Sequence, residues 1–221
     1  IASAAELRGD LEGALVAARD ALSADPEFTP ATQVMGRCLE GLDRPQELAA
    51  LYEQEIARES DPREKLTRWY KLSELRERRL GDPAGAIEAC RRALELDRSD
   101  QPARERLERL LVAAGATDEL VRLFEEEVEL TTDPQLQIFL LGRIGTLAED
   151  ELADLPRARA AMDRLLALAP RHLGAIRALG RLAEKEGDPA ALVRALELEA
   201  EATEDQPAVL ALMHRQAQVR L

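Results

Sequence analysis

This sequence has no Asn, only two Cys and two His, and aromatic residues at 3% of its 221 positions. Each shortage removes a class of protein. Without Asn there is no Asn-X-Ser/Thr acceptor, which excludes N-glycosylation of this segment. Cys38 and Cys90 stand far apart with no Cys-X-X-Cys pairing. Neither a disulfide framework nor a thiolate zinc site is therefore expected, and both thiols should be reduced and buried. Scarce aromatic and β-branched residues leave an extensive sheet without the side chains that pack well on a pleated surface. No run of 18 apolar residues occurs, so no helix is long and apolar enough to cross a membrane. No secretory hydrophobic region opens the chain. It starts at Ile1 and ends at Leu221 inside a helical pattern. The expectation is a fragment of a longer protein, with localisation unknown and the cytoplasm as the default.

What is present is Ala, Leu, Arg and Glu in quantity, the strongest helix formers after one another on the propensity scale. Hydrophobic residues are 46% and charged residues 33% of the chain, the proportions of a folded soluble protein and not of a disordered one. An all-α fold is predicted. The net charge of −13 opposes general nucleic-acid binding, because an acidic field repels a phosphate backbone unless basic residues are segregated onto one face. Only Lys65, Lys71 and Lys185 are lysine and every other basic residue is Arg, which carries no functional reading of its own.

An internal repeat organises the chain. A gapless shift of 72 residues places Gly9-Asp10 on Gly81-Asp82, Ala14 on Ala86, Leu22 on Leu94 and Pro30 on Pro102. The same shift carries Leu48, Leu51, Tyr52, Glu53 and Glu55 onto Leu120, Leu123, Phe124, Glu125 and Glu127. A third copy sets Gly187, Leu192, Glu197 and Glu199 on Gly115, Leu120, Glu125 and Glu127. Each unit divides into four amphipathic segments, with apolar residues at i, i+3, i+4 and i+7. In the best-defined unit these are predicted at Glu47 to Arg58, Pro62 to Leu80, Pro83 to Leu96 and Gln101 to Ala113. Asp61-Pro62, Asp82-Pro83 and Asp133-Pro134 each put Asp at an N-cap and Pro at the first helical position. Gly9, Gly81, Gly115 and Gly187 follow helices, where Gly most easily adopts the left-handed C-cap.

Short turns make neighbouring helices antiparallel, and repeated helix pairs bury their apolar faces by stacking into a solenoid. At this point the sequence resembles the tetratricopeptide repeat family, whose 34-residue pattern places W-x2-L-G-x2-Y on a first helix and Ala, an aromatic, Ala and Pro on a second. Met35-Gly36 with Leu39, Leu179-Gly180 with Ala183, and Trp69 with Leu72 resemble the first-helix signature. Ala86, Cys90, Ala93 and Leu94 resemble the second, as do Ala158, Met162 and Pro170. Glu55, Glu127 and Glu199 stand where the family usually has a small Ala. The resemblance implies one helical-repeat domain over residues 1–221, a right-handed superhelical α-solenoid of stacked antiparallel hairpins with a 72-residue double-hairpin period.

The chemistry-bearing inventory is thin. Neither His172 nor His214 has a ligand partner at metal-site spacing, and both read as capping or surface residues. The Gly-Asp-Pro stretches lack the order of a phosphate-cradling loop, and Glu125-Glu126-Glu127 lacks calcium-loop spacing. No cofactor, no metal and no catalytic residue is expected, and the chain is not expected to be an enzyme. The family resemblance implies that first helices line a concave groove. On those helices Arg37, Arg109 and Arg181 recur at 72-residue spacing, and Lys71, Arg143 and Arg215 form a second such set. Tyr70 and Phe139 are the aromatics that fall there. The acidic sets Glu53/Glu125/Glu197 and Glu55/Glu127/Glu199 fall on second helices, so an acidic total could hide a basic groove. Alternatively, each Arg pairs with a Glu on its own helix, as Glu105 and Arg109 would at i,i+4.

The first expectation for function is a protein-interaction scaffold whose groove docks a peptide or helix of another protein, with an acidic segment as the natural complement. A structural spacer or assembly subunit is the alternative. An RNA-binding helical repeat ranks below both, for want of aromatic stacking residues.

Overall fold

A computed structural model describes residues 9–219 and contains, among them, twelve α-helices and no strand. In chain order these are α1 (Leu11–Ala24), α2 (Thr29–Gly41), α3 (Pro45–Arg58), α4 (Pro62–Arg78), α5 (Pro83–Leu96) and α6 (Gln101–Ala114). They continue as α7 (Thr117–Leu130), α8 (Pro134–Asp150), α9 (Leu155–Leu168), α10 (Leu173–Glu186), α11 (Pro189–Ala202) and α12 (Gln206–Val219). The 72-residue register survives in these bounds: a shift of one period carries both ends of α1 onto those of α5, and both ends of α5 onto those of α9. It does the same for α3, α7 and α11. Against the sequence expectation, α3 begins two residues earlier, at Pro45, and α4 ends two residues earlier, at Arg78. The apolar periodicity runs past Arg78, but the backbone is already turning toward Gly81.

The helix starts are fixed chemically. The Asp10, Asp82 and Asp154 carboxylates accept from the backbone N–H of Gly13, Gly85 and Arg157, capping α1, α5 and α9. Asp61 and Asp133 cap α4 and α8 in the same way, each followed by Pro at the first helical position. The left-handed turns also keep the period. Positive φ occurs at Gly9, Gly81 and Ala153, and again at Asp43, Gly115 and Gly187. Two of these six positions are held by residues with a Cβ, which is sterically opposed to that conformation.

The chain divides into two compact units, one up to Leu110 and one from Leu111 onward. In the first, Ala14, Leu15, Ala18, Cys38, Leu39, Leu72 and Ala89 are all completely buried. In the second, Phe124, Leu141, Ile144, Leu165, Ile176 and Leu182 fill the interior. Ala14, Ala86 and Ala158, one period apart, are each fully buried. Their small side chains let successive helices approach closely, so larger residues there would overpack the contact. Cys38 and Cys90 are buried free thiols, as their apolar settings imply. The sequence leads to the expectation of uncovered apolar residues at both ends of this segment: Leu210 and Met213 on α12 are exposed, and Ile1 to Arg8 lie outside the described residues.

Candidate functional site

The first helices of the hairpins are α2, α4, α6, α8, α10 and α12, and they carry every candidate binding residue. Arg37, Lys71, Arg109, Arg181 and Arg215 are exposed, while Arg143 and Tyr70 are half-buried. The structure supplies partners that the sequence reading did not foresee. Arg109 Nη2 donates to Glu77 Oε2 at 3.0 Å, and Arg106 Nη2 donates to the same oxygen at 2.8 Å. One period later, Arg181 Nη2 donates to Glu149 Oε2 at 3.1 Å and Lys185 Nζ to Glu149 Oε1 at 2.8 Å. Arg215 pairs with Glu184 on α10. The expected within-helix pair of Glu105 and Arg109 is not made; Gln101 Nε2 donates to Glu105 Oε1 instead, at 3.1 Å.

Glu77 and Glu149 are therefore part of the site. They are also one period apart, and each lies 32 residues before its Arg, on the preceding first helix. The signal was in the 72-residue shift. Within-helix spacing does not reveal it, because each Glu and its Arg stand on successive first helices. The Arg109 and Arg106 hydrogen bonds and charges hold the Glu77 pKa below the ordinary 4.5, against an opposing contribution from burial. Burial of Glu149 also opposes its ionisation, and the Lys185 and Arg181 hydrogen bonds outweigh it, so its pKa too lies below 4.5.

The second-helix glutamates are likewise engaged. Glu55 Oε2 accepts from Arg68 Nε at 3.1 Å, and Glu125 accepts two bonds of 2.7 Å from Arg157. Arg143 lies over the Phe124 ring, 4.8 Å from its centroid, a cation–π contact. Lys71 lines a 510 Å³ recess with Glu40, Tyr52, Glu74 and Arg78. Burial, and after it the Glu40 carboxylate, pushes the Tyr52 hydroxyl up to about 12. His172 caps α10, its Nδ1 accepting from Ala175 N–H at 3.2 Å. No cluster of three His, Cys, Asp or Glu side chains able to hold a metal occurs among the described residues.

Two grooves one period apart along the first-helix face differ. Between α8 and α10, Gly142 and Ala178 line an open cleft of 670 Å³ floored by Met162 and Leu165. Phe139 stands exposed at its edge, and Arg143, Arg181 and His172 also line it. Between α4 and α6 the period-related residues are Tyr70 and Arg106. The Tyr70 hydroxyl is buried with no hydrogen-bond partner of good geometry; burial, and next the Asp100 carboxylate, pushes its pKa up. Arg106 Nε donates to Ser73 Oγ at 3.0 Å. Ser73 also bonds the Ala86 carbonyl, at 3.1 Å, and lies 3.1 Å from Cys90 Sγ. The α4–α6 groove is filled by the chain's own side chains.

A tetratricopeptide repeat model matches residues 103–138. No curated protein sequence matches. Among solved structures, a chain of the Naa15/Naa10 complex bound to HypK-THB aligns over 98% of this chain with a TM-score of 0.58 at 16% identity. This chain spans 33% of that one's length. A tetratricopeptide repeat protein from Parabacteroides merdae aligns over 99% of this chain and 84% of its own, with a TM-score of 0.44 at 13% identity. YrrB, described as a tetratricopeptide repeat protein with an unusual peptide-binding site, aligns over 96% of this chain and 88% of its own, with a TM-score of 0.41 at 18% identity. Twelve helices in a 72-residue register among the described residues, the matched repeat and the shared fold give this chain a tetratricopeptide-like helical-repeat fold.

Proposed function

We propose that this chain is a protein-interaction scaffold, not an enzyme, and that it docks a segment of another protein in the cleft between α8 and α10. The observation that carries this reading is the cleft itself. At 670 Å³ it falls within the range of about 300–1,000 Å³ typical of ligand pockets. Its wall combines Phe139, Ile138, Leu147, Met162 and Leu165 with a few polar groups, the mixture that gives a docked segment both affinity and register. Arg143 and Arg181 favour a segment with carboxylates beside its apolar residues. Arg181 is 57% exposed even while paired to Glu149, so its charge reaches the rim. The Naa15/Naa10 structure, an assembly of several proteins, supports the scaffold role by analogy of fold.

The basic set as a whole is a weaker lure than its count suggests, since Arg109, Arg181 and Arg215 each face a Glu on the preceding first helix. The acidic preference is therefore assigned to the α8–α10 cleft and not to the full row from Arg37 to Arg215.

Random peptides displayed against the immobilised chain, with salt-dependent anisotropy of the winners, test the reading. Enrichment of acidic peptides whose affinity falls between 50 and 300 mM salt, roughly the range over which surface charge is screened, is the expected result. Winners that bind Phe139→Ala as tightly as the parent chain would refute docking in this cleft.

A further inference from the structure

The two grooves define each other's chemistry. In the α4–α6 groove the chain supplies an aromatic ring at residue 70. Its phenol neighbours Asp100 at the start of α6, Cys90 on α5 and Arg106 on α6. One period on, these four positions are Gly142, His172, Met162 and Ala178. The ring and the guanidinium are both deleted, and the α-carbon frame that held them is kept: α4 and α8 span the same number of residues and start at period-related prolines. A Cβ at Gly142 would meet only Leu165 Cδ1, at 3.8 Å, an ordinary contact. Gly142 is thus empty by choice of residue and not because a side chain would clash. Gly145 differs, since a Cβ there would stand 2.1 Å from the Met162 methyl, which occupies the space.

We propose that the α8–α10 cleft takes an aromatic side chain, Tyr or Phe, from the docked partner segment, in the place that Tyr70 fills in cis one period earlier. This deepens the docking reading above and rests on it. Phe139 precedes Gly142 by three residues and so lies on the same helical face. Its exposed ring offers an edge-to-face partner that an aliphatic anchor cannot use. The Met162 methyl and Leu165 make the floor, and a thioether against a ring face or edge is itself a favourable contact. The carboxylate preference of the rim arginines then places an acidic residue next to the aromatic one.

The chain has three methionines, at positions 35, 162 and 213, so ¹³C-methyl-methionine NMR gives three signals, of which Met162 reports the cleft. The probes are p-cresol, which is the tyrosine side chain, and 4-methylcyclohexanol, its saturated counterpart. Saturable displacement of the Met162 signal by p-cresol, with Met35 and Met213 unmoved, is the expected result. Binding of p-cresol should exceed that of 4-methylcyclohexanol by about fivefold, the ratio expected of one aromatic pair. Gly142→Tyr should abolish the displacement by occupying the site in cis. Phe139→Ala, an exposed change that leaves folding intact, should weaken p-cresol toward the saturated probe and keeps the test alive if Gly142→Tyr fails to fold. Equal affinity for the two probes, no saturable Met162 displacement, or an unchanged response in Phe139→Ala would each overturn the proposal. Displayed peptides that bind the cleft without an aromatic residue would overturn it while leaving the scaffold reading in place. Loss of all peptide binding with p-cresol still seated on Met162 would do the reverse.

Discussion

The α4–α6 and α8–α10 grooves share helix bounds and a clamped glutamate, and they differ in what fills them. Tyr70 and Arg106 occupy the first, while Gly142 and Ala178 at the matching positions line the open cleft of the second. The lesson is about where a repeat is free to vary. Positions such as Ala14, Ala86 and Ala158 set the spacing between helices and stay small in every copy. Groove positions such as residues 70 and 142 exchange a ring for a glycine between copies while the helix bounds stay the same. The glutamate clamp is kept in both grooves, yet its second cation changes from Arg106 to Lys185, which reaches the carboxylate from a different turn of the helix.

Breaking the difference should cost most in the filled groove. Tyr70→Ala removes a ring wedged between α4, α5 and α6, and a loss of about 3 kcal/mol is expected in denaturant unfolding, typical of truncating an aromatic side chain. A cost under ~1 kcal/mol would show that Tyr70 lies on the groove and does not plug it.

The clamp comes next. Glu149→Gln keeps the shape and loses two charge-assisted bonds, for an expected cost of about 1–2 kcal/mol at pH 7. The folded-state pKa of Glu149 lies below its ordinary 4.5. The stability it contributes is therefore fully present above that value and is lost as pH falls through the lower folded pKa. Melting curves of the parent chain should drop with acid in that window, and the Gln variant should drop less. Glu77 carries the same sign of shift, so Glu77→Gln should behave alike; a variant with the full acid dependence of the parent would argue against the clamp.

Smaller gains should follow from lending one copy's residue to the other. Gly142→Ala adds a methyl in ordinary contact distance within a helix, and should stabilise by about 0.5–1 kcal/mol from helix propensity. Its Tm should rise while p-cresol affinity changes little. Last, Ala153 holds φ at 52° where its period mate Gly81 holds 60°. Ala153→Gly should relieve left-handed strain, for a net gain of about 0.5 kcal/mol after the entropy that Gly loses on folding. An unchanged or lowered Tm would show that its neighbours already offset the strain.

Helix bounds were legible in the sequence to within two residues wherever Asp-Pro or Gly marked them, because caps are local chemistry read within four residues. His172 as a cap was legible for the same reason. The glutamate partners of Arg109 and Arg181 were present in the 72-residue shift as Glu77 and Glu149, but nothing in a linear reading says that residues 32 apart meet. The role of Tyr70 was not legible at all. Tyr and Gly at period-related positions look like drift in a sequence and become plug and cleft only when α6 and α10 are laid beside α4 and α8.

By itself the sequence determined an all-α hairpin repeat, its 72-residue period, its Asp-Pro caps and the four left-handed turns held by Gly, since these depend on propensity, periodicity and bonds between near neighbours. Only the tertiary structure decided which charges are neutralised and which groove is open. Those outcomes depend on distances between helices a whole hairpin apart, and side-chain volume has a meaning there only once the opposing wall is in place.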